Sequence, residues 1–221
     1  KEIGSDALFA LLRVLGGEEL ERARAFYARC RDEDLAVSVA QTDVKGDRSK
    51  GPSAQADRDM YLRVVDRNKD GIVVRGAKAH TSGSPNANWL ITLPTRAMGP
   101  DDGEFALSFA VPVNTEGVSL YVSAYSGGEK NAFEFPLSHR TRMLETLTVF
   151  EDVFVPWEQV FLCGNSALAG PLALCFVEYH RFTAVSYKLP LLDAMVGSAA
   201  AIAEMNGIMK AGHIRDKLTQ L

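Results

Sequence analysis

The chain has 221 residues, of which 47% are hydrophobic and 24% are charged, and its formal net charge is −4. This composition predicts a globular protein with a sizeable core. Mild acidity without a Lys/Arg run argues against nucleic-acid binding. The longest apolar stretch, 194–202, is too short to span a membrane. Three cysteines without metal-ligand spacing favour a reducing compartment, so we expect a cytoplasmic protein.

The N-terminal zone is predicted to be helical. Between Glu18 and Glu33 the apolar residues recur at helical spacing and form one stripe, which consists of Leu20, Ala23, Phe26, Tyr27 and Cys30. Cys30 is therefore expected in the core. Because the chain starts at Lys1 and stops at Leu221 inside a helical pattern, we expect it to be part of a longer protein.

The middle zone, from about 35 to 160, holds nearly all the strand signals and predicts a β-barrel or sandwich. Turn residues separate the strands at 69–71, 99–103 and Gly127-Gly128. One strand pattern, Leu147–Pro156, alternates so that Leu147, Val149, Val153 and Val155 share a face. Glu145 would lie on the same side, where its carboxylate is either solvated at the sheet edge or directed into a pocket.

The C-terminal zone, 171–221, predicts two long helices with a kink at Pro190. Helical spacing puts His180, Ala184, Tyr187 and Lys188 on one face. An imidazole, a phenol and an ammonium on one stripe suit acid–base chemistry, while the alternative is a His and Tyr at the core edge with a solvated Lys.

Further along, residues 191–221 carry an apolar face that needs a partner and predicts self-association. The residues of that face are Leu192, Met195, Val196, Ala199, Ile202 and Ala203.

The most informative motif is the β-branched strand from Gly71 to Lys78, which runs into small hydrogen-bonding residues up to Gly83. Glycines allow a flat ligand to approach the backbone, and hydroxyls and amides can bond to its polar atoms. The other interpretation is an ordinary strand followed by a Ser-Gly turn.

Four motifs in this order resemble the β domain of the acyl-CoA dehydrogenases. They are Gln41–Asp47, Gly71–Lys78, the strand and turn from Phe105 to Ser119, and Val149–Pro156. Within that superfamily, the residue pattern resembles more closely the flavoprotein family of 4-hydroxybutyryl-CoA dehydratase and 4-hydroxyphenylacetate 3-monooxygenase. The segments that carry this resemblance are Thr42–Arg48, Gly71–His80, Val160–Cys163, Tyr179–Arg181 and Lys210–Leu218.

This resemblance implies an α+β fold of the acyl-CoA dehydrogenase type. Residues 1–36 would end an N-terminal helical domain, 37–164 would form a central β-barrel domain, and 165–221 would begin a C-terminal helical bundle that is incomplete here. In this superfamily such bundles assemble subunits, so a homodimer or homotetramer is implied.

The resemblance also implies FAD as cofactor, bound by Gln41, Thr42, Asp43, His80, Thr81 and Ser82. The catalytic residues that the resemblance implies are His180, Glu145, Tyr187 and Lys188. His180 matches a histidine that ligates a four-iron four-sulfur cluster in the dehydratase, and Glu145 matches a carboxylate near the substrate.

Two departures from the dehydratase pattern bear on the chemistry. Tyr187 stands at the position of a cluster cysteine, and Ala184 at that of a tyrosine near the flavin. Because a phenol is a poor substitute for a thiolate on iron, no complete cluster and no metal site are expected. His180 is the only cluster ligand that this chain matches.

Three functions remain open. The first is a flavin-dependent dehydratase or isomerase acting on a hydroxyacyl- or enoyl-CoA. The second is a two-component hydroxylase that takes reduced flavin from a reductase and hydroxylates an aromatic substrate. The third is a non-catalytic relative or fragment.

Overall fold

The computed structural model of the protein describes residues 2–123, 131–140 and 142–221. It divides into two compact units, Lys1–Tyr179 and His180–Leu221. The predicted Gly127-Gly128 turn lies outside the described residues. The turns predicted at 69–71 and 99–103 do separate consecutive strands.

Two helices open the chain, α1 from Glu2 to Val14 and α2 from Gly17 to Asp32. On α2 the predicted stripe is confirmed, since Ala23, Phe26 and Cys30 are buried, and Leu20 and Tyr27 pack partly buried against the same core. Phe26 contacts the ring of Trp89 edge-on at 5.2 Å between centroids. Helix α2 therefore covers one face of a sheet.

Within the described residues, eight strands follow the two helices: β1 (Val37–Ala40), β2 (Arg63–Arg67), β3 (Gly71–Lys78), β4 (Trp89–Thr92), β5 (Leu107–Pro112), β6 (Val118–Val122), β7 (Thr146–Pro156) and β8 (Val160–Cys163). They form two four-stranded sheets with the orders β1-β4-β5-β8 and β2-β3-β7-β6. Strands β1 and β4 are parallel, and the other strand pairs are antiparallel.

The strands alternate between two hydrophobic cores. Trp89 and Ile91 of β4 face the core shared with α1 and α2, whereas Leu90 between them faces a second core shared with Ile72 and Phe150 of the other sheet. The result is a helix layer, a sheet and a second sheet.

The fold is thus a mixture of helices and sheets, as expected, but its strands do not close into the predicted barrel. Among the described residues, the strands of one sheet meet those of the other through side chains, with no strand pairing between the sheets. A single bridge, Asp43 to Lys78, joins a residue beyond β1 to the end of β3. The sandwich interpretation of the same strand pattern describes the arrangement.

For the first half of β7, the prediction of which residues face the core is wrong. Thr146, Thr148 and Phe150 are the buried residues there, and Leu147 is exposed. A β-bulge explains the change, because two residues of β7, Glu151 and Asp152, lie opposite one residue of β3. An extra residue reverses the alternation, so Val153 and Val155 are buried as predicted.

The C-terminal zone is helical, but its division differs from the prediction. A single helix α3 of 40 residues runs from Ser166 to Met205 and includes Pro190, and a short helix α4 follows from Gly212 to Gln220. A proline removes one backbone donor, and the helix continues on both sides of that gap. None of the described helices has the length and apolarity that a membrane span requires.

Candidate active site at the strand ends

Two segments that the sequence assigned to one cofactor lie side by side. Gln41–Asp43 directly follows β1, and Ala79–Ser82 directly follows β3. The backbone N–H of Ala79 donates to the carbonyl of Thr42 at 2.7 Å. The structure therefore brings the ends of strands from different sheets to one edge.

A buried ion pair stands behind this edge. Lys78 is 3% exposed and Asp43 is 2% exposed, and Nζ lies 2.8 Å from Oδ1. The same carboxylate accepts the backbone N–H of Leu62 at 3.0 Å and lies 2.5 Å from the hydroxyl of Thr95. Burial lowers the pKa of the Lys78 ammonium, and the negative charge of Asp43 opposes this effect.

Glu145 directly precedes β7 and meets Ser82. The Ser82 hydroxyl donates to Oε1 of Glu145 at 2.6 Å. Two backbone hydrogen bonds hold the segments together, from Thr81 to the Thr146 carbonyl at 2.9 Å and from Gly83 to the Leu144 carbonyl at 2.7 Å. The residues predicted to serve cofactor and substrate are thus direct neighbours, although 63 positions separate them in sequence.

Beneath this contact lies a network of buried hydroxyls. Thr146 Oγ1 lies 2.7 Å from the Ser84 hydroxyl and donates to the Thr81 carbonyl at 3.1 Å. Thr148 donates to the Thr81 hydroxyl at 3.0 Å. Because each hydroxyl is paired in the dry interior, the network holds both segments in one geometry. Sequence reasoning included only Thr81 of this network, and the Thr-x-Thr start of β7 was the available signal.

A cleft of about 250 Å³ opens beside Ser82 and Gly83 and is also lined by Ser38. The Ser38 hydroxyl donates to the Ser82 carbonyl at 2.8 Å, which fixes the backbone at this point. Pockets that enclose a whole drug-sized ligand measure about 300–1,000 Å³, so the cleft can take only part of such a molecule.

The other predicted cofactor residues differ in their surroundings. The Thr42 residue is half-buried, and its hydroxyl bonds to no other described residue. With the described residues, the side-chain amide of Gln41 makes only long contacts of 3.5 Å, to the carbonyls of Pro94 and Ala173. His80 is exposed and has a φ of 56°, in the left-handed region that sharp turns use.

The predicted residues of the second unit lie on helix α3. His180 is half-buried, Tyr187 is 45% exposed, and Lys188 is exposed. As they belong to one continuous helix, the spacing of seven and eight residues does put Tyr187 and Lys188 on the His180 side.

The three cysteines carry thiols rather than disulfides. Burial raises the pKa of all three, that of Cys30 to about 11, while the cation of Arg67 partly offsets the effect at Cys163. Within the described part of the chain, His, Cys, Asp and Glu form no group of three that could hold a metal ion.

Two family models match consecutive parts of the chain. The model described as 4-hydroxyphenylacetate 3-hydroxylase N terminal matches residues 9–162, and the corresponding C-terminal model matches residues 169–221. The chain belongs to the 4-hydroxyphenylacetate 3-hydroxylase family. Its membership confirms the resemblance drawn from the motifs around Thr42 and Gly71.

The individual relatives of the chain include two kinds of enzyme, dehydratases and the oxygenase components of monooxygenases. The 4-hydroxybutyryl-CoA dehydratase/vinylacetyl-CoA-Delta-isomerase of Clostridium aminobutyricum is 40% identical over 86% of this chain and 40% of that protein. An oxygen-tolerant archaeal 4-hydroxybutyryl-CoA dehydratase from N. maritimus superposes with a TM-score of 0.89 and 34% identity, over 99% of this chain and 45% of the other. The chain therefore spans about two fifths of the length of the dehydratase relatives it matches.

The oxygenase component of 4-hydroxyphenylacetate 3-monooxygenase, solved in complex with FAD, superposes with a TM-score of 0.84 and 30% identity over 98% of this chain and 44% of the other. A glutaryl-CoA dehydrogenase of Mycobacterium smegmatis reaches a TM-score of 0.61 at 17% identity, over 96% of this chain and 48% of that one. The latter supports only the fold, which is thus similar to that of the acyl-CoA dehydrogenases.

Proposed function

We propose that this chain is part of a flavin-dependent enzyme that shifts a double bond in, or dehydrates, a hydroxyacyl- or enoyl-CoA. The observation that carries the proposal is the hydrogen bond between Ser82 and Glu145 at the strand ends, beside the segment Gln41–Asp43. A carboxylate that is held next to the proposed cofactor-binding segment suits proton transfer to a bound acyl group. The 40% identity to a dehydratase/isomerase supports the same chemistry.

FAD is the proposed cofactor, with Gln41, Thr42, Asp43, His80, Thr81 and Ser82 at its edge. These residues fit such a ligand because they combine a hydroxyl that no described residue uses, at Thr42, with an accessible amide at Gln41. Asp43 and Thr81 would shape this edge rather than donate to the ligand, since their side chains and their backbone N–H groups bond within the protein. A bound flavin would supply electron transfer at its isoalloxazine ring.

Proton transfer is proposed for this chain's own side chains. Isomerisation of a 3-enoyl thioester removes a proton from C2 and returns one to C4, with no net change in oxidation state. Glu145 and His180 are the proposed acid–base groups, Tyr187 a hydrogen-bond donor to a substrate oxygen, and Lys188 a partner for negative charge. Tyr187 does not fit the position of a cluster thiolate, so the proposed proton transfers involve no iron–sulfur cluster.

Turnover of vinylacetyl-CoA tests the proposal directly. We expect the whole protein that contains residues 1–221, loaded with FAD, to form crotonyl-CoA, as followed by chromatography. Glu145→Gln keeps the size and a hydrogen-bonding oxygen but removes the base, and we expect its kcat to fall by about 10²- to 10⁴-fold.

The exposed Glu134→Gln serves as the matched control and is expected to keep the parent rate. A flavin-loaded parent that leaves vinylacetyl-CoA unchanged contradicts the proposal. So does an undiminished rate in Glu145→Gln.

A second candidate is a two-component hydroxylase that uses reduced flavin from a partner reductase on an aromatic substrate. Both matching family models describe a hydroxylase, and Tyr187 in place of a thiolate is compatible with it. Oxygen consumption with reduced FAD and 4-hydroxyphenylacetate would favour this candidate. A preparation that stays colourless after incubation with FAD would instead favour a non-catalytic relative or fragment.

The domain organisation remains part of the proposal. We place the end of an N-terminal helical domain at 1–36, a central β domain at 37–164 and the start of a helical bundle at 165–221. The boundary between the two family models, between 162 and 169, supports the second division. A homodimer or homotetramer is the proposed assembly.

A further inference from the structure

The ion pair of Lys78 and Asp43 uses every donor of the lysine. Nζ donates to the carbonyls of Gln41 at 2.9 Å and Leu93 at 3.0 Å, and its third partner is the carboxylate of Asp43 at 2.8 Å. An ammonium has three donors, so no N–H of Lys78 is left for a ligand. A direct contact with cofactor or substrate is thereby excluded for Nζ.

These bonds join three strand ends from two sheets. Gln41 follows β1, Leu93 follows β4, and Lys78 ends β3 of the other sheet. Thr95 adds a second set of contacts, because its hydroxyl accepts the backbone N–H of Asp43 at 2.8 Å and lies 2.7 Å from the Gln41 carbonyl. We call Lys78, Asp43 and Thr95 the clamp.

Stability alone is a weak reason for such a cluster. Removing two charges from water costs free energy that their attraction often only balances, and a well-packed apolar pair of similar volume is frequently as stable. The ends of β1 and β3 could therefore pack without charges. What an apolar pair could not provide is a directional bond to the carbonyl of Gln41.

We propose that the clamp residues are positioning residues, which hold the backbone of Gln41–Asp43 in the geometry that binds the flavin. The inference rests on the proposed function, since it assumes that this segment contacts FAD. It assigns to the side chain of Asp43 an indirect role through Lys78 and Thr95.

A matched pair of variants at Thr95 tests the clamp in the whole protein. Thr95→Val removes the hydroxyl at nearly constant volume, whereas Thr95→Ser keeps the hydroxyl and removes a methyl group. We expect Thr95→Val to raise the Kd of FAD by about fivefold or more, and to change the visible circular dichroism of the bound flavin. Thr95→Ser should keep the parent Kd within about twofold.

The double variant Asp43→Asn/Lys78→Met separates positioning from stability and also serves if Thr95→Val does not fold. The asparagine can still accept from Leu62 and bond to Thr95, while the bonds to the Gln41 and Leu93 carbonyls are lost. We expect a lowered thermal midpoint, because the buried Leu93 carbonyl loses its partner, and with it a raised Kd of FAD and an altered flavin dichroism, which a loss of stability alone would not change.

Unchanged FAD affinity and dichroism in Thr95→Val, or in the double variant, overturn the positioning role of the clamp and leave the proposed function intact. The same holds if affinity falls only in proportion to the thermal midpoint, with dichroism unchanged. A parent protein that binds no FAD overturns the proposed function and, with it, the clamp.

Discussion

Cys30 shows how burial alone sets the chemistry of a residue. Its thiol faces the core between the helices and the first sheet, is 7% exposed, and has a pKa raised from 9.0 to about 11 by desolvation. The position was predictable from the apolar stripe of α2. By contrast, Glu145 gave two interpretations in the sequence, and what the structure adds is that the half-buried carboxylate accepts a hydrogen bond from Ser82.

The raised pKa of Cys30 predicts a loss of stability at alkaline pH. Since the folded state keeps the proton more firmly than the unfolded state, the stabilisation is complete below about pH 9 and disappears as the pH rises through about 11. We expect the urea midpoint of the parent to fall more between about pH 8 and 10.5 than that of Cys30→Ala. Because other titrating groups act in both proteins, parallel slopes would refute this interpretation.

Among the elements, β3 and β7 position most of the candidate site, and their details come from different sources. The β-branched run and the Asp-Gly turn before it predict β3 by local preference. The bulge in β7 depends on how residues 146–156 pair with β3, and no local signal distinguishes its two registers. The zone was expected to form two long helices with a kink at Pro190, yet one helix that includes Pro190 continues from Ser166 to Met205.

Gly76 of β3 is a position where an added side chain would meet both backbone strain and steric overlap. Its φ is 134°, and an added Cβ would lie 2.5 Å from the Tyr61 carbonyl oxygen and 2.7 Å from the Cα of Leu62. Gly76→Ala should therefore lower the free energy of unfolding by about 3 kcal/mol, from backbone strain and steric overlap together. Urea denaturation provides the measurement.

Gly17→Ala is the control for strain without overlap. Gly17 also has a positive φ, 55°, but its added Cβ would meet nothing within 4 Å. The expected loss is about 1 kcal/mol, from the left-handed conformation alone. Equal losses at Gly17 and Gly76 would show that the contact with residues 61 and 62 is unimportant.

At the scale of the whole molecule, the sequence matched a family while covering about two fifths of its dehydratase members. Helix α3 carries exposed apolar side chains in its second half, including Leu192, Met195 and Ile202. An apolar face of this kind is covered in most globular proteins by another element or another subunit. The expected association through residues 192–203 remains a prediction.

Light scattering of the whole protein tests this association. We expect a dimer or tetramer, and we expect the double variant Met195→Glu/Ile202→Glu to shift the mass toward the monomer, since buried carboxylates would be desolvated at the interface. Asp193→Asn, on a different side of the helix, is the control and should not change the mass. A monomeric parent would contradict the prediction.

The sequence by itself determined the helical stripe of α2, the strand-rich middle zone, the helical character of the C-terminal zone and the family, because periodicity, turn residues and ordered motifs are local properties of the chain. Tertiary structure alone decided that two sheets stack instead of closing, that Ser82 meets Glu145, and that Lys78 and Asp43 pair in the interior. These facts join residues 35 or more positions apart. Such contacts depend on the global packing of strands, to which local preferences contribute little.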